Sequence, residues 1–133
     1  MMDNLFIITQ NAILLNEKNE ALILRDPRGK WLLPGGRMEA RETWLKGLKR
    51  EVFEEAKIKD FKITNIIDID NWYDKNENKY FYGVTFVGTV RNITKIKLSD
   101  EHDQYAWINS KTLNQYEFWH KHIKQRLEKI LKK

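Results

Sequence analysis

The chain has 133 residues, of which 41% are hydrophobic, and it contains no cysteine. This length and apolar content predict one folded domain over residues 1–133, and the lack of cysteine excludes disulfides, thiol chemistry and cysteine zinc sites. Lys and Arg outnumber Asp and Glu by 24 to 19, and the resulting charge of +5 favours anionic partners, either small phosphates or nucleic acid. With neither a leader-like start nor a long apolar run, we expect a cytoplasmic protein without a membrane span.

The first third of the chain has the composition of β-strands joined by turns. Leu5 to Leu15 and Ala21 to Leu24 are rich in aliphatic and β-branched residues, and the polar segment between them predicts a β-hairpin. Asp26-Pro27-Arg28-Gly29 is a strong turn signal, and the residues after it are expected to run extended into Gly35 and Gly36.

A helix is predicted from about Thr43 to Lys57. Its core face consists of apolar residues at helical spacing: Leu45, Leu48, Val52 and Ala56. Gly47 costs about 1 kcal/mol relative to Ala in a helix interior. We expect it to be either a tolerated packing point or a place that makes room for a ligand or another backbone.

Three carboxylates are grouped near the end of this predicted helix. Glu51, Glu54 and Glu55 are three and four residues apart, so they lie on one face, in the last turns where the helix dipole is already negative. Each unfavourable contact costs roughly 0.3 to 1 kcal/mol, so the group opposes the helix unless a cation holds it together. A hard divalent cation such as Mg2+ suits this role because it binds carboxylate oxygens and also accepts phosphate oxygens.

The second half of the chain alternates strand and helix patterns. Phe61 to Ile69 and Tyr80 to Val90 have strand composition, Tyr105 to Ile108 is a shorter strand, and Tyr116 to Leu131 repeats apolar residues at helical spacing. The excess Lys and Arg of the last segment are more typical of a solvated helix face than of a nucleic-acid site. This mixture in one chain predicts an α/β fold, a layered α/β/α domain with a mixed sheet.

From Gly36 to Ile58 the chain resembles the signature of the Nudix hydrolase family, G-x5-E-x7-R-E-U-x-E-E-x-G-U, where U is aliphatic. The matching residues are Gly36, Glu42, Arg50, Glu51, Val52, Glu54, Glu55 and Ile58. Lys57 stands in place of the second Gly, and we expect it to alter the helix end while the metal site is kept. The approach WLLPGG, the stretch from Glu101 to Trp107 and the last helix are also similar to the family, so the resemblance covers nearly the whole chain.

The resemblance implies an α/β/α sandwich that hydrolyses nucleoside diphosphate derivatives with Mg2+ or Mn2+. By the same resemblance, Glu51, Glu54 and Glu55 are metal ligands, and Gly36 brings the loop backbone to the metal. Arg50 would orient a neighbouring carboxylate, and Glu42 would support the loop or bind metal through water. The catalytic base is one of Glu54, Glu55 and Glu101; we favour Glu101 as base or additional ligand.

Substrate contacts are predicted less specifically than the metal site. The backbone at Gly35 and Gly36 would approach the substrate, Arg25 could contact phosphate, and Tyr73 and Tyr82 could stack on a base. A surface turn for Arg25 and sheet packing for the two tyrosines are the simpler alternatives. His102 is expected on the surface.

The predicted function is divalent-metal-dependent hydrolysis of a diphosphate linkage in a nucleotide, nucleotide sugar or dinucleotide. Two alternatives stay open: a catalytically silent Nudix domain that senses a nucleotide or RNA, and a decapping-type RNA pyrophosphohydrolase. The retained glutamates favour the enzyme. The expected partner is a small phosphorylated substrate; nucleic acid is less favoured, no membrane partner is expected, and a homodimer is compatible with the sequence.

Overall fold

The computed structural model of the protein describes residues 4–91 and 95–132. Within these residues seven strands form one sheet, and two α-helices and a 3-10 turn complete the fold. The elements are β1 (Ile7–Leu15), β2 (Ala21–Arg25), β3 (Trp31–Leu32), β4 (Gly35–Arg37), α1 (Trp44–Ala56), β5 (Lys62–Asp74), β6 (Lys79–Thr89), β7 (Gln104–Ile108), the 3-10 turn Leu113–Gln115 and α2 (Lys121–Leu131).

Strand β1 is the centre of the sheet. It pairs in parallel with β6 along its whole length, and it pairs antiparallel with β2 at one end and with β4 further along. Strand β2 pairs antiparallel with β3 and β7, and β5 pairs antiparallel with β6 at the far side of the sheet. The sheet is therefore mixed, and the predicted hairpin of the first two strands is confirmed.

The two faces of the sheet carry separate halves of the core. Ala12 and Leu14 of β1 pack in one cluster with Leu48 and Val52 of α1, whereas Ile13, between them, packs in a second cluster that includes residues of α2. This alternation follows from the two-residue repeat of a β-strand. Each face is covered by one helix, so the predicted α/β/α sandwich is confirmed.

The last helix begins later than its pattern predicts. Helix α2 starts at Lys121 rather than at Tyr116, because the preceding residues bond to β3. The N–H of Trp31 donates to the carbonyl of Glu117 over 2.9 Å, and the N–H of Trp119 donates to the carbonyl of Trp31 over 3.0 Å. No helix formed by the described residues is both long and apolar enough to cross a membrane.

Helix α1 ends where the sequence places Lys57, and that residue itself adopts the left-handed conformation, with φ 59°. Its N–H donates to the carbonyl of Phe53 over 2.9 Å, and its ammonium lies 4.8 Å from the centre of the Phe53 ring. A left-handed residue with a side chain costs about 1 kcal/mol, which the cation–π contact partly offsets. The helix therefore ends in a left-handed turn formed by a lysine, and the expectation that Lys57 alters the helix end stays a prediction.

Candidate active site

Helix α1 and strand β4 face each other at the candidate site. The helix begins with Thr43 as N-cap, whose hydroxyl accepts from the N–H of Lys46, and its second half lies against β4. The N–H of Gly35 donates to Glu55 Oε1 over 2.8 Å. A Cβ on Gly36 would lie 2.3 Å from Glu51 Oε2, so the missing side chain is what lets this carboxylate approach the strand.

The glycine pair is part of the sheet, which the sequence does not predict. Gly35 has φ +149° and lies so close to β1 that an added Cβ would be 2.1 Å from the carbonyl oxygen of Gln10. Only a glycine fits there, because both the backbone angle and the neighbouring strand exclude a side chain. The glycines therefore hold β4 against β1 and at the same time expose its backbone to the α1 carboxylates.

Glu55 is the most unusual carboxylate of the group. Only 5% of the surface of Glu55 is exposed to solvent. This burial, together with the charges of Glu51, Glu101 and Glu54, raises the pKa of Glu55 to about 8. The hydrogen bond from the Gly35 N–H opposes the shift. His102 Nε2 lies 3.9 Å from Glu55 Oε2. Burial lowers the pKa of His102, so at neutral pH an uncharged imidazole stands beside Glu55.

Arg50 holds the remaining carboxylates together. Its guanidinium makes a two-point contact with Glu42, with distances of 3.1 and 2.8 Å, and its Nη1 lies 2.6 Å from Glu51 Oε1. Glu54 and Glu39 are further away, at 3.5 and 3.3 Å. The hydrogen bond from Arg50 is the main reason that the pKa of Glu42 is lowered, whereas burial raises the pKa of Glu51 despite its contact with Arg50.

Glu42 connects the loop before α1 to the helix. Its Oε1 accepts from the N–H of Glu39 over 2.6 Å as well as from Arg50. A Cβ on Gly47 would lie 2.7 Å from the same Oε1. Gly47 therefore makes room for the Glu42 side chain, which answers the question that its position in the sequence raised.

Glu101 reaches the site on the segment between β6 and β7. Ser99 N–H donates to the carbonyl of Glu55 over 3.4 Å, so this segment binds the last carbonyls of α1. The other end of this segment is held by Arg25. The Arg25 guanidinium makes a two-point contact with Asp103, at 2.9 and 2.8 Å, and the Asp103 N–H donates to the Arg25 carbonyl. The charge of Glu101 contributes to the raised pKa of both Glu51 and Glu55, so the four carboxylates share one region.

The predicted substrate residues differ in what surrounds them. Gly35 and Gly36 lie directly beside the carboxylates. The guanidinium of Arg25 is bonded to Asp103. Tyr82 is opposite Ile8 on the sheet, and Tyr73 is opposite Tyr80 near the hairpin end, where its hydroxyl bonds to Asn78. The predicted contacts of Arg25 and the tyrosines with a substrate stay predictions.

The chemical type of the donor atoms at this site suits a hard divalent cation. They are carboxylate oxygens, and Glu55 is buried among like charges. In residues 4–91 and 95–132, however, no three His, Asp or Glu side chains are already arranged to hold a metal ion. Arg50 contacts Glu51 at 2.6 Å and Glu54 at 3.5 Å, so a positive group of the chain itself lies among these carboxylates.

Sequence reasoning missed two features of the site. The expected surface role of His102 is wrong, since the residue is 7% exposed and lies behind Glu55. Asp103 was not recognised as the partner of Arg25. A polar run such as Glu101-His102-Asp103 resembles a surface loop, and only its docking on the end of α1 reveals the burial.

Comparisons with known proteins identify the family and the fold. The NUDIX domain model matches residues 6–127. The MutT protein from Methanosarcina mazei Go1 has a TM-score of 0.79 and 29% identity, covering 98% of this chain and 96% of that chain. The E. coli dihydroneopterin triphosphate pyrophosphohydrolase has a TM-score of 0.77 over 96% and 98% of the two chains; at 14% identity it shows the fold alone.

A third similarity is strong but short. The 8-oxo-dGDP phosphatase NUDT18 of Mus musculus is 49% identical over 49 residues, or 34% of this chain. The matched part is only 15% of the length of that protein. The family model, in contrast, covers most of the present chain, and the predicted resemblance is confirmed: the chain belongs to the NUDIX domain family.

Proposed function

We propose that the protein, as a single domain over residues 1–133, is a divalent-metal-dependent hydrolase that cleaves a diphosphate linkage in a nucleoside diphosphate derivative. The observation that carries this proposal is the grouping of Glu51, Glu54, Glu55 and Glu101 beside the half-buried glycines of β4. Membership of the NUDIX family supports it. The short similarity to an 8-oxo-dGDP phosphatase favours a nucleoside diphosphate as the substrate class.

In this proposal Glu51, Glu54 and Glu55 would hold Mg2+ or Mn2+, and Gly36 would bring the β4 backbone beside it. The ion supplies neutralisation of the diphosphate oxygens and acidification of a water. Arg50 keeps Glu51 oriented through its 2.6 Å contact, and Glu42 fixes Arg50 in turn. Glu101 is the base: its exposed carboxylate can take the proton of the attacking water.

The test is a substrate screen with a matched pair of variants. The purified protein is assayed with Mg2+ and Mn2+ on nucleoside di- and triphosphates, dinucleotides, ADP-ribose, sugar nucleotides and capped RNA. Glu54→Gln should lower kcat at least about 100-fold, while Glu128→Gln, an exposed glutamate on α2, should leave it unchanged. Mg2+-dependent hydrolysis that persists in Glu54→Gln would remove Glu54 from the metal ligands, and activity on capped RNA alone would favour the decapping-type alternative.

The base is tested separately with Glu101→Gln. This change should lower kcat by orders of magnitude while Mg2+ affinity, measured by calorimetry, stays the same. Loss of Mg2+ affinity would instead make Glu101 a ligand.

The contact between Arg25 and Asp103 should position Glu101 for this reaction. Arg25→Lys keeps the charge but cannot make the two-point contact, so kcat is expected to fall roughly 10-fold with little change in KM. Arg126→Lys is the matched control, because Arg126 pairs with Asp68 at 2.5 Å on the α2 side of the sheet. A higher KM with unchanged kcat would show that Arg25 contacts the substrate, as its position in the sequence suggested.

A further inference from the structure

The β5–β6 hairpin has an uncovered apolar surface on the same side of the sheet as α1. The residues of this surface, here called the hairpin face, are Phe6, Ile66, Ile69, Tyr73, Tyr80 and Tyr82. Ile66 is opposite Phe86 and Ile69 is opposite Val84, and both partners belong to the layer packed against α1. Helix α1 covers that layer further along the strands, but it leaves the hairpin face exposed.

The size of the hairpin face is that of an interface. Its six side chains are between 39% and 56% exposed. With about 200 Å² for each large side chain, they present on the order of 500 to 600 Å² of apolar surface. This equals the largest patches found on monomers, and it matches the apolar share of a standard interface, which buries about 800 Å² per partner.

The flanking charges favour a second copy of the chain over a polyanion. Residues 62–89 contain Lys62, Lys75 and Lys79 against Asp68, Asp70, Asp74 and Glu77, so this part is close to neutral in a chain of charge +5. Nucleic acid would be drawn to other surfaces. A single nucleobase would cover only one or two of the rings, whereas an identical hairpin face would cover all of them.

The irregular edge of the hairpin hinders edge-to-edge pairing of two copies, so a contact between them would use the hairpin face. Strand β5 is at the end of the sheet, but register shifts between Ile63 and Asn65 and between Ile66 and Asp68 break its regular edge. Bulges of this kind hinder pairing of one edge strand with another. The hairpin face, with its exposed aromatic and aliphatic side chains, is therefore the surface on which two hairpins can pack.

We propose that two copies of this chain form a two-fold symmetric dimer by packing their hairpin faces against each other. In such an arrangement the same residues meet from both subunits, so the face needs only to complement itself. Ile69 lies in the middle of strand β5, with Tyr73 on one side and Ile66 on the other. None of the carboxylates beside β4 belongs to the hairpin face, so each subunit keeps its own set of them.

The oligomeric state tests this proposal directly. Sedimentation of the wild-type protein should give twice the chain mass of 16.1 kDa. Ile69→Lys and Ile66→Lys should each raise the dimer dissociation constant at least about 30-fold, with unchanged far-UV circular dichroism because both side chains are exposed in the single chain. Tyr105→Lys is the matched control: Tyr105 is also exposed, but on β7, and this variant should remain a dimer.

Two results would overturn the proposal. One is a wild-type protein that sediments as a monomer at every concentration; the other is a dimer that both isoleucine variants leave intact. If the monomer's tryptophan fluorescence is quenched by nucleotide and Tyr82→Lys abolishes the quenching, the hairpin face belongs to the substrate base instead.

Discussion

The metal-free protein is expected to lose stability as the pH rises from about 5 to about 8, because Glu55 must give up a proton in a buried position. The folded-state pKa of Glu55 is about 8, above its ordinary value of 4.5. Between these values the folded chain keeps a proton that the unfolded chain has released, so the free energy of unfolding falls with rising pH. The loss is on the order of 3 to 5 kcal/mol for a shift of this size.

Urea unfolding in the presence of EDTA, repeated across this pH range, measures the effect. Glu55→Gln should flatten the slope and should be more stable than the wild type at pH 8.5, since the amide carries no charge and its oxygen can still accept from Gly35. Glu128→Gln, an exposed glutamate on α2 outside the site, should keep the slope of the wild type. Added Mg2+ should recover stability at high pH in the wild type but not in Glu55→Gln; a flat wild-type profile would contradict the buried proton.

The two neighbouring glycines are expected to respond to alanine in opposite ways. At Gly35 the new Cβ would be 2.1 Å from a backbone oxygen of β1, in a backbone conformation that side chains rarely adopt. Gly35→Ala should therefore cost at least about 4 kcal/mol of stability. At Gly36 the clash is with the end of the Glu51 side chain, at 2.3 Å, which can move away.

Gly36→Ala should accordingly fold with a loss of no more than about 1 to 2 kcal/mol, but it should lower Mg2+ affinity and kcat roughly 10- to 100-fold by displacing Glu51. Thermal unfolding and metal titration of both variants, side by side, separate the two effects. Equal loss of stability in the two variants would mean that Glu51 cannot move, and normal metal affinity in Gly36→Ala would argue against Glu51 as a ligand.

The parts of the fold that the sequence predicts are those specified by local spacing. The hydrophobic repeat defines α1, and the spacing of Glu51, Glu54 and Glu55 places them on that helix. The strand patterns likewise locate β1 and β6 to within two residues, whereas β5 runs on to Asp74, five residues beyond its predicted end. The confirmed sandwich follows from these elements because each has only one or two faces to bury.

The parts that the sequence does not predict depend on contacts between distant segments. The start of α2 is delayed by backbone bonds from Glu117 and Trp119 to Trp31. His102 is buried because its segment docks on the end of α1, and nothing in the neighbouring residues signals this. Gly47 and Glu42 are five residues apart, but only the position of the carboxylate explains the glycine.

The position of Arg50 allows the protein to fold before a metal ion binds at its site. Glu42 and Glu51 each have a cationic partner at 2.8 and 2.6 Å that the chain itself provides. Arg50 therefore neutralises the negative charge of Glu42 and Glu51 in the folded chain. Folding of this region does not require a metal ion from solution. An ion that binds later meets a Glu51 whose Oε1 is already on Arg50 and whose Oε2 faces Gly36, so the internal contact sets which oxygen of this carboxylate the ion can use.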